Sequence, residues 1–315
     1  MSFDAIRQAA LLKWNELAEN DVPVIYLGTA SCGRAAGALS TLEMIHTTLA
    51  ELRVEARVVQ VGCIGPCYLE PIMDIALPGY PRVCYANVTP EKAARILTTC
   101  LVEGNLQPNV AIGHLGETSF TEKTGIPSFF ELPMLKPQVR VVLRNCGWID
   151  PEEIDHYLAR DGYLGLQRAL ERDPIEVIGW LKESGLRGRG GAGFPTYKKW
   201  ELCRAAKSDR KFVVCNADEG DPGAFMNRTL LESDPHAVLE GMLIGGYATG
   251  ATAGIVYIRA EYPLAVVRLG KAIEQMYSYG LLGNDILGSG FDFDIIIQEG
   301  AGAFVCGEET ALIAS

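Results

Sequence analysis

Gly185-Leu-Arg-Gly-Arg-Gly-Gly-Ala-Gly-Phe-Pro-Thr196 is the stretch that most narrows the possible folds of this 315-residue chain. It holds five glycines within nine residues, together with Arg187 and Arg189. Because glycine has no Cβ, its backbone N–H groups can approach a ligand closely, and such groups beside arginine bind phosphate. The stretch therefore predicts a nucleotide or flavin site. The structural alternative is a flexible linker, which would not need Phe194 or Trp200.

The same stretch contains Gly188-Arg-Gly-Gly-Ala-Gly193, which matches the G-x-G-x-x-G pattern of dinucleotide-binding folds. That pattern is informative only between a strand and a helix. Residues 174–184 precede it and carry apolar side chains at helical spacing. A helix therefore leads into the glycines, which disfavours an ordinary Rossmann start.

The composition indicates a globular α/β protein with room for two domains. The chain is 48% hydrophobic and carries a net charge of −11, which argues against nucleic acid as the main partner. No apolar run reaches the length of a membrane span, and the N-terminus lacks a secretory pattern, so we expect a cytoplasmic protein without direct membrane insertion. Its nine cysteines favour reduced thiols or metal ligands over disulfides.

Residues 1–103 predict a small thioredoxin-like domain in the order α-β-α-β-β-β-α. The expected elements are helices at 4–18, 38–52 and 90–102, strands at 22–27, 58–61, 72–76 and 81–85, a turn at 28–33 and a loop at 63–71. Residues 104–150 are rich in proline and glycine and predict a connecting segment laid over the next domain.

Residues 151–315 predict a second α/β domain, Rossmann-like in type and incomplete at its end. The expected elements are helices from 150, at 164–171, 174–184, 235–250 and 263–279, and strands at 211–215, 254–259 and 293–298. The last six residues are helix-like and lack a stop signal, so we expect the chain to be cut short there.

Three cysteines are candidate metal ligands. Cys63 and Cys67 form a C-x₃-C loop after one predicted strand, and Cys32 follows another, so both turns should meet at one edge of the sheet. Thiolates from two loops can hold a [2Fe–2S] cluster, which needs four ligands. Cys84 is an uncertain fourth, and small buried core cysteines are the structural alternative.

Two polar segments follow predicted strands in the second domain. Cys215–Phe225 contains four polar side chains suited to ribose hydroxyls or a flavin edge, where ligands bind in α/β sheets. These four are Asn216, Asp218, Glu219 and Asp221. Glu299–Thr310 is a small-residue loop that opens a helix, with Glu308 and Glu309 at its start. The structural alternative for the first segment is an acidic surface turn. For the second it is a pair of acids that cap the helix.

Together these segments resemble the NADH-binding flavoprotein subunit of complex I and its homologues in NAD-reducing or electron-bifurcating hydrogenases and formate dehydrogenases. The resemblance runs continuously over residues 150–315. It rests on segments 185–200, 215–228, 232–236, 257–263, 288–293 and 300–312. Residues 1–103 resemble the thioredoxin-like [2Fe–2S] domain fused onto this subunit in the hydrogenase-type branch, which Phe304 also favours.

The resemblance implies an NADH dehydrogenase (diaphorase) subunit that transfers hydride between NAD(H) and FMN, then passes single electrons to iron–sulfur clusters of partner subunits. It implies an NADH:acceptor oxidoreductase with Asp221 and Glu309 near the nicotinamide and Phe194 against the adenine. The implied cofactor-binding residues are Gly188, Arg189, Gly190, Gly191, Ala192, Phe194, Lys199, Asn216, Asp218, Glu219, Gly307 and Glu308.

The chain departs from the family pattern at several positions. Tyr197 stands where glycine is usual, and Leu202 replaces a frequent aromatic. Ala36 and Gly37 occupy the place of the cysteine expected after Cys32. The family's [4Fe–4S] cysteines belong to a region beyond Ser315. The alternatives are therefore a non-catalytic fragment, or a thioredoxin-like redox or docking module that does not retain flavin.

Overall fold

The chain forms two compact units in the computed structural model, which describes residues 2–19, 21–221 and 223–315. The N-terminal unit contains Ala10–His156 and a tripeptide from far along the chain, Glu232–Asp234. The C-terminal unit contains the described residues of 2–9, 157–231 and 235–315. The predicted boundary at 150/151 falls close to this division.

A five-stranded mixed sheet organises the N-terminal unit. Its strands are β1 (Val24–Gly28), β2 (Arg57–Val61), β3 (Met73–Ala76), β4 (Val83–Tyr85) and β5 (Gly113–His114). They are ordered β2-β1-β3-β4-β5, with β1 and β2 parallel and the other pairs antiparallel. The helices of this part of the chain are α1 (Phe3–Ala18), α2 (Ser31–Ala35), α3 (Ala38–Leu52), α4 (Pro90–Val102) and α5 (Thr118–Thr124). A βαβ crossover followed by an antiparallel ββα unit is the predicted thioredoxin-like fold.

The central strand β1 is buried along its whole length because both of its faces are covered. Ile25 and Leu27 enter the larger core with residues of α3 and α4, whereas Val24 and Tyr26 pack on the opposite face. The predicted turn at 28–33 is shorter than expected. The short helix α2 begins at Ser31 and carries Cys32 in its first turn.

Residues 104–150 differ from the connecting segment that the sequence predicted. Strand β5 pairs with β4 and extends the N-terminal sheet. Ile126, Phe129 and Leu135 are buried in hydrophobic clusters of the same unit. A few well-placed apolar side chains thus anchor a segment whose prolines and glycines suggested a linker.

The C-terminal half of the chain contains a parallel sheet flanked by helices. Its strands are β6 (Phe212–Ala217), β7 (Ala253–Arg259) and β8 (Asp294–Gly300), in that order and all parallel. Its helices are α6 (Ile154–Ala159), α7 (Leu164–Leu170), α8 (Pro174–Ser184), α9 (Thr196–Ala205), α10 (Met226–Ser233), α11 (Pro235–Thr249), α12 (Pro263–Ser278) and α13 (Glu309–Ala314). The helix expected from residue 150 begins only at Ile154.

Helix α11 is the central helix of the C-terminal unit. Most of its residues are buried, and α7, α8 and α9 pack against it. Its Glu240 carboxylate accepts hydrogen bonds from the Tyr157 hydroxyl at 2.5 Å and from the Tyr163 and Leu166 N–H groups at 2.8 and 3.0 Å. Three donors satisfy this buried charge, which therefore fixes the start of α7.

The strand predicted to be buried at 211–215 has an open face instead. In β6, Phe212 and Val214 each retain 43% of their accessible surface. In β8, Ile296 retains 58%. Across the described part of the chain, no helix combines the length and apolarity that crossing a bilayer requires.

Candidate flavin and metal sites

The carboxyl end of β6 carries a buried acid without a partner. Asp218 is 8% exposed, and neither of its carboxylate oxygens has a hydrogen-bond partner among the described residues. Burial raises the pKa of this carboxyl, while the nearby Arg259 guanidinium lowers it. A buried polar group without a partner costs free energy. Its presence at a strand end therefore points to a ligand that donates hydrogen bonds.

The segment before α13 meets this strand end. The Asn216 amide donates to the Gly307 carbonyl at 3.0 Å. A Cβ on Gly307 would lie 3.3 Å from the Asp218 carboxylate, so glycine lets the two segments approach closely. The two polar segments predicted from the sequence are thus brought together.

The glycine loop is an open turn between two helices. Helix α8 begins at an Asp173 cap with proline at its first position and ends at Gly185, which has a φ of +65°. The Gly188 N–H donates to the Phe194 carbonyl at 2.9 Å and closes the loop. A Cβ on Gly190 or Gly191 would meet no atom of the described residues within 4 Å. The glycines therefore leave free space at the surface, as a ligand-binding loop requires.

The side chains of this loop are held by its own backbone. The Arg189 guanidinium donates to the Arg187 carbonyl at 2.7 Å, and the Arg187 guanidinium donates to the Gly193 carbonyl at 3.0 Å. Ala192 and Phe194 are exposed. Hydrogen bonds within the glycine loop therefore fix both arginines, and the exposed Ala192 and Phe194 are accessible to a ligand.

A salt bridge joins the helix after the loop to the helix after β8. Lys199 in α9 contacts Glu309 in α13 at 3.0 Å, and both side chains are largely exposed. Glu309 lies two residues after Gly307, whose carbonyl accepts from Asn216. This salt bridge links the predicted loop residues to the predicted polar segments.

Two of the predicted acids already have structural roles. Glu308 caps α13, since its carboxylate accepts from the Thr310 and Ala311 N–H groups at 3.0 and 3.1 Å. Glu219 accepts from the Asn227 and Arg228 N–H groups at 2.9 and 3.2 Å at the start of α10. The capping alternative therefore accounts for the Glu308 carboxylate, and the Glu219 carboxylate, in the segment for which an acidic surface turn was the alternative, holds a helix start as well.

Asp221 is exposed on the loop between β6 and α10. Its carbonyl accepts from the Ala224 N–H at 3.0 Å. The predicted segment also includes Pro222, which lies outside the described residues. Asp221 stays a predicted contact for the nicotinamide.

The three predicted metal ligands form one cluster in the N-terminal unit. The Sγ atoms of Cys32, Cys63 and Cys67 all lie within 4.8 Å of one another, and those of Cys63 and Cys67 are 3.5 Å apart. The interaction with Cys63 raises the pKa of Cys32 far above its ordinary value. For Cys63, the interaction with Cys32 lowers the pKa, but Cys67 and burial raise it to a net value of about 12. Crowded thiols of this kind are typical of a metal site.

Cys84 is separate from this cluster. It is fully buried in β4, within a hydrophobic cluster that includes Ile64 and Phe129. Burial raises the pKa of its thiol well above the ordinary value. The uncertain fourth ligand is therefore a core residue, because its strand position places it inside the sheet.

Sequence reasoning missed the residues that surround the cysteine cluster. Ser233 accepts from the Cys63 N–H at 3.0 Å, and the Glu232 carboxylate accepts from the Ser31 N–H and hydroxyl at 2.8 and 2.6 Å. Glu70 lies beside Cys32 with its Oε1 atom 3.7 Å from the sulfur. Burial raises the pKa of the Glu70 carboxyl to about 7. Only the position of Glu70 three residues after Cys67 could have signalled it.

Both sites fit the groups that the resemblance implies. The buried oxygens of Asp218 and the open glycine loop suit a ligand with phosphate and hydrogen-bond donors, as FMN has. The three clustered sulfurs are compatible with three of the four ligands that a [2Fe–2S] cluster needs.

Comparison with known proteins confirms the resemblance to complex I flavoprotein subunits. Residues 181–315 match the Nuo51 FMN-binding domain family. The NADP-reducing hydrogenase subunit HndC of Solidesulfovibrio fructosivorans is 64% identical over 180 residues, covering 57% of this chain and 36% of that protein. An NADH-quinone oxidoreductase subunit of Aquifex aeolicus is 52% identical over 162 residues, covering 51% of this chain and 38% of that protein.

The chain thus spans little more than a third of the curated relatives that it matches. A solved NAD⁺-reducing [NiFe]-hydrogenase in its H₂-reduced state is similar at 22% identity, with a TM-score of 0.44, over 98% of this chain and 48% of that one.

Proposed function

We propose that the C-terminal unit binds FMN and oxidises NADH, and that it acts as the flavoprotein subunit of a larger NADH:acceptor oxidoreductase. The observation that carries this proposal is the pair of buried Asp218 oxygens, unpartnered among the described residues, beside the Asn216–Gly307 contact. They lie in the region that matches FMN-binding domains. A ligand that donates hydrogen bonds to this carboxylate would offset the cost of burying it.

The chain's own residues would hold and orient the cofactor. Asp218 and the Asn216 amide would bind polar edges of FMN, and Lys199 with Arg189 would neutralise its phosphate. Gly188, Gly190, Gly191 and Gly307 would let the backbone approach. When bound, FMN supplies hydride acceptance from NADH and one-electron donation to iron–sulfur centres. Glu219 and Glu308 would contribute by fixing the helix starts beside the site.

The nicotinamide nucleotide would lie over the flavin position. Phe194 is 46% exposed on the glycine loop and offers a face for the adenine. Asp221 and Glu309 would contact the nicotinamide side, where they would orient the ring. The acidic residues crowded around this pocket disfavour a 2′-phosphate, so we propose NAD(H) in preference to NADP(H).

The cysteine cluster would be the electron acceptor of the N-terminal unit. Cys32, Cys63 and Cys67 would bind a [2Fe–2S] cluster. Partner subunits with further iron–sulfur clusters, including a [4Fe–4S] cluster bound by family residues outside this chain, would receive the electrons. The proposed compartment is the cytoplasm.

Anaerobic titration tests the flavin proposal. The purified chain is mixed with FMN, binding is measured by quenching of flavin fluorescence, and NADH or NADPH is then added while visible absorption is followed. We expect bound FMN that NADH bleaches faster than NADPH does. Lys199→Met should weaken FMN binding roughly tenfold, because it removes a charge-assisted contact. Lys198→Met, an exposed neighbour, is the matched control and should bind like the unaltered chain.

A second candidate function is a thioredoxin-like redox or docking module that does not retain flavin. The compact N-terminal unit with its clustered cysteines favours it. Failure of the unaltered chain to bind FMN, with metal still bound by the cysteines, would replace the flavoprotein proposal by this one.

A further inference from the structure

A buried carboxylate stands beside the cysteine cluster, and its hydrogen bonds within the described part of the chain include no cation. Glu70 is 6% exposed. Its Oε2 atom accepts from the Ile72 N–H at 2.8 Å, which fixes the carboxylate plane. The other oxygen, Oε1, lies 3.7 Å from the Cys32 sulfur. One oxygen is therefore held by the backbone and the other faces the site.

Gly28, the last residue of β1, makes room for this carboxylate. A Cβ on Gly28 would lie 2.9 Å from the Glu70 Oε2 atom and 3.1 Å from Oε1. A side chain there would displace the carboxylate. The end of β1 is thus adapted to hold Glu70 beside Cys32.

One carboxylate oxygen lies at a ligand-to-ligand distance from one of the sulfurs. A tetrahedral metal with bonds of about 2.3 Å to sulfur places neighbouring ligand atoms roughly 3.8 Å apart. The Cys32 sulfur and the Glu70 oxygen are 3.7 Å apart, and the three sulfurs all lie within 4.8 Å of one another. A [2Fe–2S] cluster needs four ligands, and the cysteines offer three.

We propose that the Glu70 carboxylate is the fourth protein ligand of the cluster and completes the set formed by Cys32, Cys63 and Cys67. The assignment rests on the metal role proposed above for the three cysteines. Glu70 would take the place of a fourth cysteine, because a carboxylate oxygen can complete a set of three cysteine ligands. The Ile72 N–H then orients the ligating carboxylate from behind.

Reconstitution with ferrous iron and sulfide under anaerobic conditions tests the assignment. Iron and acid-labile sulfide per chain, visible absorption and the electron paramagnetic resonance spectrum after reduction are measured for four proteins. These are the unaltered chain, Glu70→Gln, Glu70→Cys and the exposed control Glu51→Gln. Circular dichroism and thermal melting establish that each variant is folded.

We expect Glu70→Gln to lose its iron to a chelator at least roughly tenfold faster than the unaltered chain. Glu70→Cys should retain the cluster with a changed absorption and resonance spectrum, because a thiolate then replaces an oxygen ligand. If the carboxylate had only a structural role, Glu70→Gln should keep the cluster better than Glu70→Cys. The glutamine oxygen can still accept from the Ile72 N–H, whereas the cysteine side chain cannot.

Two results overturn the assignment. One is a folded Glu70→Gln variant with the iron content and spectra of the unaltered chain. The other is a folded Glu70→Cys variant that loses its iron to the chelator as fast as Glu70→Gln does. If the unaltered chain itself binds no iron, the metal role of the three cysteines fails together with the assignment, and this result is distinct from the other two.

Discussion

Asp218 and Glu219 are adjacent acids with opposite relations to their surroundings. The Asp218 oxygens are buried without partners among the described residues, whereas the Glu219 oxygens accept from two N–H groups at the start of α10. The first is proposed to bind a ligand. The second stabilises a helix start. Substitutions should separate ligand binding from stability at these neighbouring positions.

Asp218→Asn should leave thermal stability unchanged or raise it, because it removes an unpartnered buried charge. It should also weaken FMN binding by roughly tenfold, the effect of losing one charged hydrogen-bond acceptor. Thermal melting and flavin fluorescence titration check both. Lower stability with unaltered FMN binding would show that Asp218 is a structural acid.

Glu219→Ala is the matched counterpart and should cost about 1 kcal/mol of unfolding free energy, the usual effect of losing a helix cap. Urea unfolding measures it. An unchanged free energy of unfolding would mean that the contacts to Asn227 and Arg228 do not stabilise α10.

At the scale of single elements, the open face of the β6-β7-β8 sheet is the most unusual feature. Val214, Ile255 and Ile296 are paired in register across the three strands. The outer two are 43% and 58% exposed. An apolar row of this kind invites self-association.

Ile296→Thr should reduce self-association and dye binding, while it changes the unfolding free energy by no more than about 0.5 kcal/mol. Threonine keeps the β-branched shape that strands favour. Light scattering and binding of a hydrophobic dye measure the first effect, and urea unfolding the second. A large loss of stability would show that Ile296 is packed in solution.

Elements with local signals were predictable from the sequence. Helix α4 has the predicted bounds because Thr89 caps it and Pro90 occupies its first turn. The three cysteines met as expected, since βαβ topology brings the two loops to one sheet edge. The predicted start of α6 at residue 150 was wrong, because Pro151 lies in the turn before the helix. Ser233 could not be predicted as a neighbour of the cysteines, because it is distant in sequence, and only its position three residues after Cys67 pointed to Glu70.

At the scale of the whole molecule, buried histidines contribute to the loss of stability in acid. His236 in α11 is buried between the Tyr163 hydroxyl at 2.8 Å and the Gln275 side chain at 3.2 Å. Burial lowers its pKa to about 4. As the pH falls from about 6.5 to about 4, this histidine takes up a proton in the unfolded chain but stays neutral in the folded chain. The free energy of unfolding therefore decreases across this window.

His236→Gln should flatten the dependence of unfolding free energy on pH by up to about 1.4 kcal/mol per pH unit within that window. Urea unfolding at several pH values measures the slope. Some slope should remain, because burial also lowers the pKa of His156 to about 4. The exposed His46→Gln is the control. Equal slopes in His236→Gln and the unaltered chain would contradict a buried neutral imidazole.

The tripeptide Glu232–Asp234 sets an order of assembly. It belongs to the N-terminal unit although about 75 residues of the other unit precede it in the chain. Gly62 is so close to Ser233 that a Cβ there would approach it to 2.3 Å. During synthesis, the contacts that this tripeptide makes with the cysteine loops can form only after residue 234 has emerged. A proteolysed fragment ending near residue 156 would therefore lack the hydrogen bonds from Cys63 to Ser233 and from Ser31 to Glu232.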